Sequence, residues 1–231
     1  MKIAIYWYNY VVARATPFAR DISSLAIRII LAPVMIIAGY SKLNLSNEAI
    51  SGVGRLLPDA NVVSWFGNAQ WGLGLPFPDT LAFLAGWTEF LGGWLILVGL
   101  FTRFISIPLM ITMFVAVFTV HLNHGWFAIT PTDPDTSPAK VLSWLHVPGS
   151  NESLMNSVEA RERLAEIKAI INNHDASRYL KEKGSVVLLN NGIEFALTYL
   201  ILLMVLFTQG PGRYLSVDYW FRRANFTMNS D

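Results

Sequence analysis

Apolar residues are concentrated in four blocks along the 231-residue chain, each about as long as a membrane-spanning helix. A helix needs about 20 apolar residues to cross the ~30 Å hydrocarbon core of a bilayer. The blocks cover 24–43, 79–100, 104–121 and 185–208. This pattern predicts an all-α integral membrane protein, in which a single membrane domain covering 1–231 is built on a bundle of four transmembrane helices.

Polar and turn-forming residues separate these blocks and define their connections. Residues 1–22 form an amphipathic, aromatic-rich lead-in, and 44–78 form a connector rich in glycine, proline and asparagine. Only 101–103 separate the second block from the third, which predicts a tight antiparallel helical hairpin.

A long polar insert, 122–184, lies between the third and fourth blocks. It begins with turn-forming residues and then carries a predicted helix over 152–172. Glu159 and Arg163 have the i,i+4 spacing that supports such a helix. A basic tail, 213–231, follows the fourth block.

The lysine and arginine residues of the short flanks predict the orientation, because cytoplasmic loops carry an excess of them. Lys42 and Arg55 lie on one side, together with the insert, whose basic residues are balanced by acidic ones. The other side is therefore predicted to be cytoplasmic, with both termini, in a multi-pass protein of a bacterial inner membrane. Its basic residues are Lys2, Arg14, Arg20, Arg103, Arg213, Arg222 and Arg223.

Composition agrees with a membrane protein and excludes some chemistry. Apolar residues make up 53% of the chain, charged residues 14%, and the mean hydropathy is +0.42. A net charge of +1 does not favour nucleic acid as a partner. There is no cysteine, which excludes a protein thiol relay, an iron–sulfur site and a thiolate-bound metal.

Ionisable residues inside the four blocks are the candidate functional groups. Such residues are costly in hydrocarbon, so they usually face the bundle interior or a wet cavity. At 1.5 Å per helical residue, Glu89, Glu194, His121 and Lys42 fall in the middle or outer half of the membrane, and Arg28 lies deeper toward the cytoplasm. We therefore expect a polar centre in the outer half of the bundle.

Small residues indicate which helix faces meet, because they let helices approach closely. The stripe on the second block predicts that Glu89 faces protein rather than lipid, and a matching stripe on the first block carries Arg28 and Lys42. The first stripe is Ala82, Ala85, Gly86, Glu89, Gly92 and Gly93, and the second is Arg28, Ala32, Met35, Gly39 and Lys42.

Each candidate also has a structural interpretation. Glu89 and Glu194 could hold helices in register through Arg28 and Lys42, and Lys42 near a helix end could extend to the interface. His121 and His124 form a candidate metal pair, although lone histidines are more often packing residues. Haem is disfavoured because, of the four blocks, only the third carries histidine. There is no glycine-rich nucleotide loop.

Several short stretches, in order along the chain, resemble the DoxX family of small four-helix bacterial membrane proteins. The resemblance covers about 20–124 and 185–220. The insert 122–184 is longer than the loop that typical members have there. The stretches are Gly39-Tyr40-Ser41-Lys42-Leu43, Gly74-Leu75-Pro76, Glu89-Phe90-Leu91-Gly92-Gly93-Trp94, Leu97-Val98-Gly99-Leu100-Phe101-Thr102-Arg103, Asn191-Gly192-Ile193-Glu194, and Gly210-Pro211-Gly212-Arg213-Tyr214-Leu215-Ser216-Val217-Asp218.

The resemblance implies a component of a membrane redox system, with quinone as the cofactor to expect. Glu89, His121 and Glu194 are then candidate catalytic groups for proton transfer, and Arg28 and Lys42 are candidate donors to the quinone carbonyls. Two alternatives stay open. One is a scaffold that recruits a protein partner through the insert, and the other is a carrier or maturation factor for a small polar molecule or a metal.

Overall fold

The computed structural model describes residues 2–174, 177–182, 184–213 and 215–228. Parts of three predicted segments therefore lie outside the described residues. They are 175, 176 and 183 of the insert, Tyr214 of the stretch 210–218, and 229–231 of the tail.

Nine α-helices are present in the described part of the chain. A π-helical turn, Ala116–His121, follows α4 directly, and a short 3₁₀ turn, Leu122–His124, follows that. The helices are α1 (Lys2–Lys42), α2 (Ala60–Gly67), α3 (Pro78–Val98), α4 (Thr102–Val115), α5 (Ala139–Trp144), α6 (Ser150–Asn172), α7 (Ser177–Lys181), α8 (Glu194–Gln209) and α9 (Val217–Met228).

Three helical stretches of the described residues are long and apolar enough to cross a membrane: Ile5–Lys42, Pro78–Val98 and Thr102–His124. The predicted hairpin between the second and third blocks is observed, since α3 ends at Val98 and α4 begins at Thr102. The helix predicted over 152–172 is observed as α6, where Arg163 pairs with Glu159 at 2.9 Å.

The bounds predicted for the fourth span were wrong. α8 has only 16 residues and begins at Glu194, not at 185. The preceding segment is extended, because its backbone pairs with another chain segment: Thr130 N donates to Leu188 O at 3.1 Å and Asn190 N to Ala128 O at 2.8 Å. The fourth apolar block therefore includes a segment whose apolar composition suggested a helix but whose backbone is extended. The four-span bundle stays a prediction.

The predicted lead-in is not a separate element, because α1 runs through it without a break for 41 residues. At 1.5 Å per residue this helix is about 60 Å long, twice the thickness of the hydrocarbon core. Its N-terminal half presents exposed aromatic side chains, among them Tyr6, Trp7 and Tyr8.

The chain divides into two compact units, residues 1–113 with 199–231, and residues 114–198. In the first unit α1 packs along α3. Buried side chains from α1, α3, α4 and α8 form its core, and they identify the faces of these helices that point inward. The core residues are Leu31, Met35, Ile96, Leu109, Met113, Leu203 and Leu206.

The second unit contains the insert and has a small core of its own, formed by Val117, Ile193 and Ala196. α6 packs closely against the segment that follows the 3₁₀ turn: Trp126 N donates to Ser153 Oγ at 2.7 Å. Gly125 has a φ of +81°, a backbone conformation that favours glycine, and a Cβ there would lie 2.7 Å from the same oxygen.

Candidate functional site

The centre of the candidate site is an ion pair between Lys42, the last residue of α1, and Glu89 in the middle of α3. Lys42 Nζ lies 2.5 Å from Glu89 Oε2 and also donates to Ala38 O at 3.2 Å. The Glu89 side chain is 4% exposed and the Lys42 side chain 22% exposed. The structure thus pairs two of the predicted site residues. The Glu89 carboxylate is buried, and the Lys42 ammonium is partly exposed.

Glycines allow the two helices to approach closely enough for this contact. A Cβ on Gly39 would lie 2.2 Å from Phe90 N and 2.5 Å from Gly86 O, distances that atoms cannot adopt. One turn along, a Cβ on Gly93 would lie 2.8 Å from Ile36 N. Gly86 and Gly93 of the predicted stripe thus form a seam with α1, which places Glu89 at the crossing, whereas Gly92 faces Ile105 and Leu109 of α4.

Arg28 is buried, but the structure does not pair it with Glu89. Its Nε donates to Ile96 O at 2.8 Å, its Nη2 to Leu97 O at 2.6 Å and its Nη1 to Pro211 O at 3.0 Å. The last carbonyls of a helix have no partner within the helix. Arg28 thus caps the C-terminal end of α3 and ties it to the loop after α8. Its predicted contact with substrate stays a prediction.

The C-terminal motif, 210–218, forms contacts with distant parts of the chain that the helical pattern does not predict. Asp218 accepts from Phe101 N at 2.8 Å and from Thr102 N at 3.0 Å, so it caps the first turn of α4 from a distant part of the chain. Asp21 accepts from both the backbone N and Nε of Arg213, each at 2.9 Å. The sequence shows the motif itself, but the spacing of its residues does not predict that Asp218 contacts α4 or that Arg213 contacts α1.

An open slot lies next to the seam between α1 and α3. It has a volume of about 640 Å³ and is lined by aliphatic and aromatic side chains and one arginine. Tyr40 follows Gly39 of the seam, and Phe90 follows Glu89; their ring centroids are 6.2 Å apart. Arg55 donates to Leu45 O at 2.6 Å. The lining consists of Tyr40, Leu45, Gly52, Val53, Arg55, Leu56 and Phe90.

His121, Glu194 and His124 belong to the other unit, where each has contacts of its own. His121 Nδ1 lies 2.7 Å from Asn191 O, and because a carbonyl only accepts, Nδ1 carries the hydrogen. Glu194 Oε2 accepts from Ala128 N at 3.0 Å at the start of α8, where a carboxylate is favourable. The predicted cluster of Glu89, Lys42, His121 and Glu194 stays a prediction.

The described residues contain no group of three or more His, Asp or Glu side chains that could hold a metal ion. His124 is exposed, and its carbonyl accepts from Asn156 Nδ2 at 3.1 Å. The His121 and His124 pair, a candidate metal site in the sequence, therefore gains no third ligand in the described part of the chain.

The second unit carries one perturbed acid at its surface. Hydrogen bonds from the Thr136 hydroxyl and the Asp135 backbone lower the pKa of the exposed Asp133 carboxyl, with a further contribution from Arg161. Arg161 Nη2 lies 2.5 Å from Asp133 Oδ1. These contacts join α6 to the turn-rich start of the insert.

Comparison with known proteins gives one match. The family model described as DoxX matches residues 23–122, which include Arg28, Lys42, Glu89, His121 and the seam between α1 and α3. No curated protein and no solved structure matches the chain.

Proposed function

We propose that this multi-pass membrane protein, whose residues 23–122 match the DoxX family model, is a quinone-linked redox component. In this role the chain binds the quinone headgroup in the slot beside the seam, and a separate redox protein exchanges electrons with the quinone. The observation that carries the proposal is the open apolar slot next to the buried Lys42–Glu89 ion pair.

The shape and lining of the slot suit a quinone headgroup. Small-molecule sites are usually apolar concavities of 300–1,000 Å³ with a few polar groups, and the slot, at about 640 Å³, falls within this range. A planar quinone ring can stack on Tyr40 or Phe90. The open side leaves room for an isoprenoid tail to extend into lipid.

The polar groups that would orient the headgroup differ from those predicted. Quinone carbonyls need hydrogen-bond donors, and the slot offers the Tyr40 hydroxyl and the Arg55 guanidinium. Lys42 donates to Glu89 in this structure, and Arg28 donates to backbone carbonyls. We therefore propose that Tyr40 and Arg55 contact the quinone, and that Arg28 has the structural role of capping α3.

Glu89 and Lys42 do not line the slot, but they adjoin residues that do. Reduction of a quinone to quinol takes up two electrons and two protons, so a nearby group that exchanges protons assists it. We propose that Glu89 and Lys42 exchange protons between the bound headgroup and water at the outer face of the membrane. The proton-transfer roles of His121 and Glu194, which belong to the other unit, stay predictions. The partner protein supplies or accepts the electrons.

The first test compares two tryptophan substitutions. Val53→Trp fills the slot, whereas Ile37→Trp adds the same side chain at an exposed position of α1 that does not line it. Each protein is saturated with a short-chain ubiquinone in detergent, and the quinone retained after desalting is quantified. We expect wild type and Ile37→Trp to retain about one quinone each and Val53→Trp to retain none. Equal retention by all three, or none by wild type, would refute the proposal.

A second candidate function is a scaffold that recruits a protein partner through the insert. The observation that favours it is a set of exposed apolar side chains on α5, on the residue that follows α5, and on α6, because such patches often mark interfaces. They are Val141, Trp144, Leu145, Met155 and Val158, which are 48–68% exposed.

Affinity purification from native membranes distinguishes the two functions. If the scaffold is correct, Trp144→Ser with Leu145→Ser loses a co-purifying polypeptide, whereas Val53→Trp keeps it. If the protein is only a quinone component, quinone retention is unchanged by the serine substitutions, and no polypeptide depends on them.

A further inference from the structure

An arginine-lined groove lies in the first unit, formed by the N-terminal half of α1, the ends of α4 and α8, and α9. Its volume is about 970 Å³. Five arginines and a single carboxylate, Asp21, are among its lining residues, so the groove carries a strong positive charge. The arginines are Arg20, Arg103, Arg213, Arg222 and Arg223.

Hydrogen bonds to neutral groups hold several of these arginines at the groove. Arg20 donates to Gln209 O, and Arg103 donates to Thr208 O at 3.1 Å. Arg222 Nε donates to Asp218 O at 3.1 Å. A backbone carbonyl positions a guanidinium without neutralising it, so the charge of these arginines stays available to an anionic ligand.

A buried amide oxygen in the groove indicates that the ligand carries a hydrogen-bond donor as well as a negative charge. Gln209 lines the groove, and its Oε1 is buried with no hydrogen-bond partner among the described residues. Buried polar atoms are normally satisfied. An amide pairs with a hydroxyl in either of its two orientations, so a ligand with a hydroxyl next to its negative charge would satisfy it.

We propose that this groove binds the headgroup of an anionic phospholipid of the phosphatidylglycerol type. Guanidinium groups bind phosphodiester oxygens in a bidentate manner, and the glycerol hydroxyls of the headgroup reach Gln209. Basic pockets on the cytoplasmic side of transmembrane helices are established sites for such headgroups, and this side is the predicted cytoplasmic one.

The walls of the groove favour a lipid over a soluble phosphate. Ala13 and Pro17 of α1 give it an apolar side, suited to the glycerol backbone and the start of the acyl chains. α9 exposes Trp220 and Phe221 at 53% and 59%, side chains that anchor amphipathic helices at the membrane interface. The aromatic half of α1 contributes the same kind of anchor.

The test measures binding of phosphatidylglycerol to the full-length protein in detergent by native mass spectrometry. Arg222→Gln with Arg223→Gln removes two positive charges from the groove. The matched control, Arg163→Gln with Lys168→Gln, removes the same number from the exposed surface of α6. We expect the groove variant to bind at least tenfold more weakly and the control to change less than twofold. Equal weakening in both would overturn the proposal.

Two further comparisons guard against a folding defect and identify the source of the phosphate. Ala13→Trp blocks the groove without changing its charge, and it should also abolish binding. Phosphatidylcholine, which has no net charge, should bind at least tenfold more weakly than phosphatidylglycerol. Binding of phosphatidylcholine at equal strength, or displacement of the lipid by millimolar inorganic phosphate, would overturn the assignment to an anionic lipid.

Discussion

Removing either partner of the Lys42–Glu89 pair alone is expected to destabilise the protein. At 2.5 Å and an effective dielectric constant of ~20, the attraction between two unit charges is about 7 kcal/mol. Removing both charges from water costs several kcal/mol per ion, which offsets most of this gain. The net value of the intact pair is therefore small, but losing one member is costly.

The two single substitutions should not be equal. Lys42→Met leaves a carboxylate that is 4% exposed, so we expect the free energy of unfolding to fall by about 3–5 kcal/mol. Glu89→Met leaves an ammonium that is 22% exposed and can extend toward the interface, so we expect a smaller loss of about 1–3 kcal/mol.

The double variant, Lys42→Met with Glu89→Met, decides whether the pair acts as a unit. Replacing a buried ion pair by apolar residues of similar size is often neutral, so the double variant should be about 4–8 kcal/mol more stable than the sum of the two single losses predicts. Unfolding is followed by tryptophan fluorescence in detergent, using the eight native tryptophans.

The exposed pair Lys140–Asp135, whose side chains are 43% and 85% exposed, is the matched control and should couple by less than about 1 kcal/mol. If the effects of the two buried substitutions add to within ~0.5 kcal/mol, the reasoning is refuted.

Three further predictions concern the seam, the cap of α3 and the surface of the insert. Gly39→Leu should force α1 away from Phe90 and abolish folding, seen as aggregation on size-exclusion chromatography, and a well-folded variant would contradict the close crossing. Arg28→Lys keeps the charge but cannot reach three carbonyls, so we expect a loss of about 1–3 kcal/mol in tryptophan-monitored unfolding; no loss would argue against the cap. Because the pKa of Asp133 is lowered, its stabilising contact with Arg161 is present above the usual value of 3.8 and is lost as the pH falls through the lower folded value. Pepsin should therefore cut wild type more slowly than Asp133→Asn near pH 4, with the difference disappearing at lower pH; a constant ratio would contradict this.

The sequence predicted the helical, membrane-embedded class and the small-residue seam because both depend on local composition and periodicity. The stripe that includes Gly86 and Gly93 is fixed by i,i+3 and i,i+4 spacing, and the structure buries it as expected. The spacing also placed Glu89 on the side that faces protein. The spacing did not determine which base pairs with Glu89, because Arg28 and Lys42 lie on the same face of α1.

The remaining differences arise from contacts between distant parts of the chain. Val186 and Val187 belong to an apolar block, but the pairing of 188–190 with 128–130 makes the segment extended rather than helical. Asp218 caps α4 from more than a hundred residues away. No periodicity encodes such partners, so the bounds of the fourth span and the role of the C-terminal motif required the structure.

The ion pair between α1 and α3 also has a consequence for biogenesis. A carboxylate at the centre of a helix raises the cost of releasing that helix from the translocon into lipid by about 2.5–3.5 kcal/mol. Ribosomes make α1 before α3, so Lys42 is already in the bilayer when Glu89 arrives. In this way α1 assists the membrane insertion of α3. If α1 is replaced by an unrelated transmembrane segment, α3 should be retained at the translocon.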